Sequence, residues 1–293
     1  MARTGDSRAA RSMAGSRGGG QARQRARQRI AAERRRAQVR RRFLVAIGSV
    51  TSVLAIVAGL VAVKLASPGP TASEGLAPAS VVRGVTGVPA SVLARTSPGS
   101  AVTELQAVRQ RGPALTIGGK PAIVFVSEES CPFCAAERWP LAVALSQFGH
   151  WSHLGTTRSS PADVYPSTAT LSFRAAAYHS TRLTLRTTEL ADSTGHRLQA
   201  LSPLDNRLIG TYDVPPYVNT ADQSGAVPFL DIGNRNILAG AQYNPQVLAG
   251  LTAAQIAAQL RNPHSPVARA INGSAKVIVA AIRQLLHSQA PSA

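Results

Sequence analysis

The stretch "GGKPAIVFVSEESCPFCAAERWPLAVALSQFG", residues Gly118–Gly149, decides how the folded part of this chain is read. It holds Cys131 and Cys134, the two cysteines of the 293-residue sequence. Before them, "PAIVFVS" (Pro121–Ser127) is a compact apolar run rich in β-branched residues, the pattern of a buried strand. After them, "AAERWPLAVALSQF" spaces Leu141, Leu145 and Phe148 along one face of a helix. A strand therefore runs directly into a helix, with the cysteines at the junction.

That position carries chemistry. Cys131 at a helix N-terminus meets unpaired backbone N–H groups and the positive end of the helix dipole, and both favour a thiolate. Pro132 suits the first helical position, where no N–H is needed. Cys134 lies one turn on, within the Cα separation a disulfide requires. Cys131 is thus the candidate attacking sulfur and Cys134 the resolving one. Glu128 and Glu129 pull the other way, because a neighbouring carboxylate disfavours a thiolate.

Plainer roles fit the pair less well. A disulfide closing so short a loop would stabilise the fold by only roughly 2 kcal/mol. One CxxC supplies two of the four ligands of a structural zinc site. His150 and His153 of "HWSH" form an isolated H-x-x-H, a pattern more often found on surfaces or in cores. Haem attachment wants a His after the second Cys, where Ala135 stands. Thiol chemistry at this pair calls for no metal and no cofactor.

The rest of the folded part has a readable order. "AVTELQAVRQR", from Ala101 to Arg111, is a short helix candidate. Thr168–Leu190 is Thr-rich and partly alternating, as in strand or mixed structure. Phe229–Ile232 and Ile237–Ala239 read as strands joined by a "GNRN" turn. Thr252 and Gln255 have capping-box spacing, with Leu251, Ile256 and Leu260 for a buried face. A last helix starts at Ser265-Pro266 and offers Ile271, Ile278, Ile282 and Leu285 to a core. Arg138 and Trp139 either line the approach to Cys131 or pack within the helix. Tyr178, His179 and Ser180 read as structural.

The order strand, CxxC, helix, then Val-Pro, hairpin and helix resembles the thioredoxin fold. "SCPFCAAERWPLAVALSQFG" with "GGKPAIVFVS" is similar to a thioredoxin-like, membrane-anchored family, domain of unknown function nine-twenty-nine. That resemblance covers roughly residues 85–262. It implies an α/β thioredoxin-like fold with an insertion between the CxxC helix and the Val-Pro strand. It also implies that Val227 and Pro228 face the cysteines and, with Pro132 and Phe133, frame a substrate. Two positions depart from the thioredoxin pattern. Ser130 stands where Trp usually precedes the first Cys, and Phe125 replaces a buried acid that assists proton transfer. The departures weigh against a reductase and leave oxidation or isomerisation open.

The charge of the chain is concentrated. The net charge is +18, but residues 1–42 alone carry 14 Arg against Asp6 and Glu33. Such a tail buries too little apolar surface to fold alone. It has no aromatic residue to stack on bases, so nucleic acid is not the expected partner. Phe43–Val63 follows with 21 uncharged residues, long enough as a helix to cross a bilayer of roughly 30 Å. The Arg cluster before it places the tail in the cytoplasm and the remainder outside. "RRRFL" at Arg40–Leu44 resembles a twin-arginine export signal, yet Ala66 lacks a small residue two places earlier, so an uncleaved anchor fits better.

The expected organisation is a tail over 1–42, a transmembrane helix over 43–65 and a Pro/Gly/Ser/Ala-rich linker over 66–100. A thioredoxin-like domain over 101–262 and a C-terminal helix and tail over 263–293 follow. The expected function is a single-pass, extracytoplasmic thiol-disulfide oxidoreductase of oxidase or isomerase type. Its partners would be a protein thiol or disulfide, a membrane redox protein, and lipid through the anchor and the Arg-rich tail. The alternative is a non-catalytic docking module of the cell envelope.

Overall fold

The computed structural model describes residues 75–109, 112–219 and 223–288. The Arg-rich tail, the expected transmembrane helix and the last five residues lie outside them. Among the described residues no helix is long and apolar enough to cross a membrane.

The fold is mixed α/β. Its centre is β4 (Lys120–Ser127), where Ala122 to Val126 are fully buried. That run is apolar at every position because both faces of the strand are covered. On one edge of β4 lies β10 (Phe229–Ile232), antiparallel, with Phe229 opposite Val126. Beyond it come β11 (Asn236–Ala239) and the short β2 (Gln106–Ala107). On the other edge, β9 (Thr184–Glu189) runs parallel to β4, from Ala122↔Thr184 to Ser127↔Glu189. β3 (Thr116–Ile117) forms a hairpin with the start of β4.

Strand alternation sorts the side chains into two cores. Ile123, Phe125, Leu230 and Ile232 point into the larger one. It is shared with α3 (Pro132–Leu145) and α6 (Pro266–His287). Val124, Val126 and Phe229 point the other way, towards Leu208 of α4 (Pro203–Tyr212).

The helix ends behave as their sequences dictate. Ser265 caps α6 by accepting from Ala268 N, with Pro266 at the first helical position. Ile271, Ile278, Ile282 and Leu285 are all buried. Thr252 and Gln255 form the expected capping box at α5 (Ala253–Gln259), and Ile256 and Leu260 are buried.

Three expectations change. Residues 79–95, expected within the linker, form α1 (Ala79–Thr86) and α2 (Ala90–Arg95). Val81, Val85, Val92 and Leu93 of these helices are buried in the larger core. Their helical spacing was masked by the surrounding Pro, Gly, Ser and Ala. Gly84 lets α1 approach α5 closely, since a Cβ there would stand 2.8 Å from Ala257 Cβ. In place of the helix expected over 101–111, the described residues 101–109 hold no helix and carry β2, which pairs with the free edge of β11. A short uncapped segment gains little as a helix, and the sheet edge supplies the hydrogen bonds it needs. The domain boundary expected at 262 moves too, because α6 shares its core with α3.

The segment between α3 and β10 holds more than β9 and α4. A pair of strands, β5 (His150–Ser152) and β8 (Ala177–His179), joins antiparallel. A second sheet has the order β1 (Gly75–Leu76), β6 (Gly155–Arg158), β7 (Ala169–Ser172). That sheet is fastened to α3. Trp139 Nε1 donates to Ala169 O at 3.1 Å, and Thr170 Oγ1 to Ala135 O at 2.7 Å.

Candidate active site

The C-terminal end of β4 delivers the chain to the start of α3, and Cys131 is the N-cap of that helix. Its Sγ accepts from the backbone N–H of Cys134 at 3.2 Å. Pro132 occupies the first turn, as its fixed φ and missing N–H favour. Across the cleft, the Cys131 thiol lies 3.7 Å from Val227 O. The Val227-Pro228 bond is cis. Cys131 is 9% exposed and Cys134 is fully buried, so only the first sulfur is offered to a visitor. Both are free thiols.

The environment splits the two thiols apart. A hydrogen bond from Cys134 pushes the Cys131 thiol below its usual range. The backbone N–H groups of Cys134 and Phe133 and the charge of Arg138 add to this, against burial. Burial first, then the hydrogen bond to Cys131, pushes Cys134 well above the usual thiol value. An accessible sulfur with a lowered pKa and a buried one with a raised pKa is the division expected of an attacking and a resolving cysteine. A family model matches the chain over residues 106–284.

The chain belongs to the family Domain of unknown function (DUF929). The DUF929 match begins at β2 and runs well into α6. It therefore includes most of the C-terminal helix that the sequence reading set apart. No curated protein and no solved structure matches the chain.

The other expected site residues are brought together unevenly. Phe133 is half-buried and packs edge-on against Tyr165, 5.7 Å between ring centres. Tyr165 belongs to the loop between β6 and β7, and that loop is tied down by Ser160 N donating to Ser130 O at 2.8 Å. Pro132 and Pro228 are buried, so each shapes backbone and offers little surface. Phe133 and Val227 border a groove of about 590 Å³, with Glu104, Gln106, Tyr217 and Gly240 among its other walls. A second hollow of about 520 Å³, around Lys120, His150 and His179, sits at the opposite end of β4 from the cysteines.

Several polar residues of the site were missed or misjudged from sequence. Arg138 does not line an approach, since its side chain is fully buried. It holds Glu189 at the end of β9 by two hydrogen bonds, Nη2 to Oε2 at 2.6 Å and Nε to Oε1 at 3.1 Å. Nη2 also donates to Ser127 Oγ at 3.3 Å. Glu129, expected to oppose the thiolate, turns inward, is 4% exposed and accepts from Ser172 Oγ of β7. Burial pushes its carboxyl above the usual value. Glu128 accepts from Ser130 Oγ at 2.9 Å. One signal was present: an Arg beside a Glu in an otherwise apolar helix, four residues after Cys134. Its partner Glu189 had none.

The histidines and Tyr178 play structural parts. His150 stacks on His179 with ring centres 5.0 Å apart, and His179 Nε2 lies 3.1 Å from Ser152 Oγ. Tyr178 OH donates to Leu145 O, and Ser180 Oγ to Phe148 O, fastening the β5–β8 pair to the end of α3. Among the described residues no three His, Cys, Asp or Glu side chains are grouped to hold a metal ion.

Proposed function

We propose that this protein is a thiol-disulfide oxidoreductase of oxidase or isomerase type, built on a thioredoxin-like fold. One observation carries the reading. Cys131 caps a helix, accepts a backbone N–H through its sulfur, and stands 3.7 Å from Val227 O across the cleft, while Cys134 is buried one turn behind. In support of the fold, the strand entering the cysteine helix pairs in parallel with one neighbour and antiparallel with the strand after Pro228. The groove beside Phe133 and Val227 suits an extended segment of a protein substrate. Placement on the outer side of a membrane, with lipid and a membrane redox protein as partners, rests on the uncharged run over residues 43–63 behind the arginines. An oxidising compartment favours a disulfide at rest.

The test uses the full chain in detergent micelles with a reduced peptide dithiol. Oxidised protein is expected to convert the peptide to its disulfide, and Cys131→Ser to abolish that. In cells, Cys134→Ser is expected to leave substrates trapped on Cys131. No exchange, no trapped species and an intact cellular role for the double Cys→Ser protein would instead make it a docking module.

A further inference from the structure

Beneath the cysteines lies a cation that the fold does not fully use. Arg138 follows Cys134 by four residues on α3, so the two side chains rise from the same helix face. Glu189 takes Nε and Nη2, and Ser127 takes Nη2 again. Nη1 is different. It is buried and, among the described residues, donates to no acceptor. A buried donor left idle costs about 1–3 kcal/mol, and the fold could have avoided that with a shorter or neutral side chain. Cys134 stands one turn before Arg138 on the same buried helix, and the charge of the arginine acts on both sulfurs. Phe125 of β4 is apolar and fully buried, and the other buried ionisable side chain of α3, Glu137, is turned to Gln242 N, so among the described residues Arg138 is the cation of that helix nearest the pair in sequence. The other charged groups near it are Glu189 from β9, Glu129 from the turn before α3, and Arg174 after β7, which acts on Glu129.

We propose that Arg138 is a positioning residue for electron transfer, holding Cys134 ready to exist as a thiolate whenever the Cys131–Cys134 bond is open. This rests on the thiol-disulfide reading above. In the oxidising direction a substrate thiolate attacks Cys131 Sγ and forms a mixed disulfide. The Cys131–Cys134 bond breaks, and Cys134 departs with the electron pair as a thiolate. A second substrate thiolate then attacks the substrate sulfur and releases Cys131. The substrate is oxidised by two electrons, the cysteine pair is reduced by two, and two protons pass from substrate thiols to the pair. In the reverse direction Cys134 attacks Cys131 and expels the substrate thiolate. Both directions pass through the buried Cys134 thiolate, which burial alone would make a poor leaving group and a scarce nucleophile. Arg138 lowers that barrier, and Glu189 restrains how far.

A purely structural ion pair makes a different prediction, which decides the matter. Three full-length variants, Arg138→Met, Glu189→Gln and Arg138→Lys, are to be titrated by thiolate absorbance and equilibrated with glutathione. With Arg138→Met the Cys131 titration should move up, and the equilibrium should shift about tenfold towards disulfide. With Glu189→Gln both should move the opposite way, and Arg138→Lys should stay near the wild type. Shifts in the same direction for Arg138→Met and Glu189→Gln, or none in either, would overturn the proposal. If Arg138→Met does not fold, Glu189→Gln still decides, since an unchanged or raised Cys131 titration sinks it. These readouts need no protein substrate. A wild type inert towards the peptide dithiol would therefore defeat the proposed function, while the titrations still judge Arg138.

Discussion

Strand β9 presents an arginine–carboxylate pair on each of its faces, and the two are built for different ends. Towards α4, Arg186 reaches Asp205 at 3.2 and 3.3 Å, with Thr188 Oγ1 joining at 3.1 Å. Asp205 also closes the capping box of α4 with Ser202. Towards α3, Glu189 meets Arg138. On the first face the carboxylate is buried while its arginine is 38% exposed. On the second, the exposures are 2% and 0%. The first pair satisfies a helix end and keeps its charge partly in water. The second is wholly desolvated, leaves one nitrogen idle and sits under the cysteines. A charge that only holds structure can stay near solvent; a charge meant to act on buried sulfur cannot, because water would screen it.

The largest expected effect breaks the inner pair. Arg138→Met leaves Glu189 buried without its cation and should cost about 3–5 kcal/mol of stability, read as a lowered urea midpoint. Adding Glu189→Leu should recover most of that loss. No recovery would mean that Arg138 packs rather than pairs.

Next comes a carboxyl with no cation at all. Glu137 is fully buried on α3, accepts from Gln242 N at 3.0 Å, and is pushed up to about 8 by burial. The folded chain thus keeps a proton that the unfolded chain releases above its usual value of 4.5. This raised pKa makes stability fall as pH rises from about 4.5 to about 8, by up to ~1.4 kcal/mol per pH unit. Glu137→Gln should flatten the decline, measured as unfolding midpoints at pH 5 and pH 8.

The outer pair should respond less and with the opposite pH sign. Burial pushes Asp205 up, but hydrogen bonds from Arg186, Ser202 and Thr188 outweigh it and leave the carboxyl below its usual 3.8. Its contribution is present above that value and disappears as pH falls below it. Asp205→Asn should cost about 1–2 kcal/mol at neutral pH and nothing further in strong acid, followed by circular dichroism. Arg186→Ala should cost under about 1 kcal/mol, since solvent screens its exposed end. A loss as large as that from Arg138→Met would erase the contrast between the faces.

Local signals were legible where neighbours in sequence are neighbours in space. The β4 run, the Cys131 cap, the Thr252–Gln255 box and the Ser265-Pro266 start all act over one turn or one strand. Phe133 beside Cys131 is local in the same way, whereas Val227, 96 residues from Cys131, was expected only from the resemblance to the thioredoxin fold. What could not be read was pairing at a distance. Arg138 and Glu189 are 51 residues apart, and their meeting depends on β9 lying beside β4 in register. Glu129 was judged by its nearness to Cys131 along the chain, but the turn points it at Ser172, 43 residues away. Composition also misled. Val81, Val85 and Val92 were hidden in a stretch whose Pro, Gly and Ser resemble a tether, and the core they fill comes from distant helices, α3, α5 and α6.

The sequence by itself determined that two cysteines stand at a strand–helix junction, which of them caps the helix, and where the capped helices around them begin. These follow from backbone dihedrals, missing N–H groups and apolar periodicity, all local. Tertiary structure alone decided the electrostatics beneath the sulfurs. A charge is strong or weak according to what surrounds it, and the surroundings of Arg138 come from β4, β9 and the turn before α3.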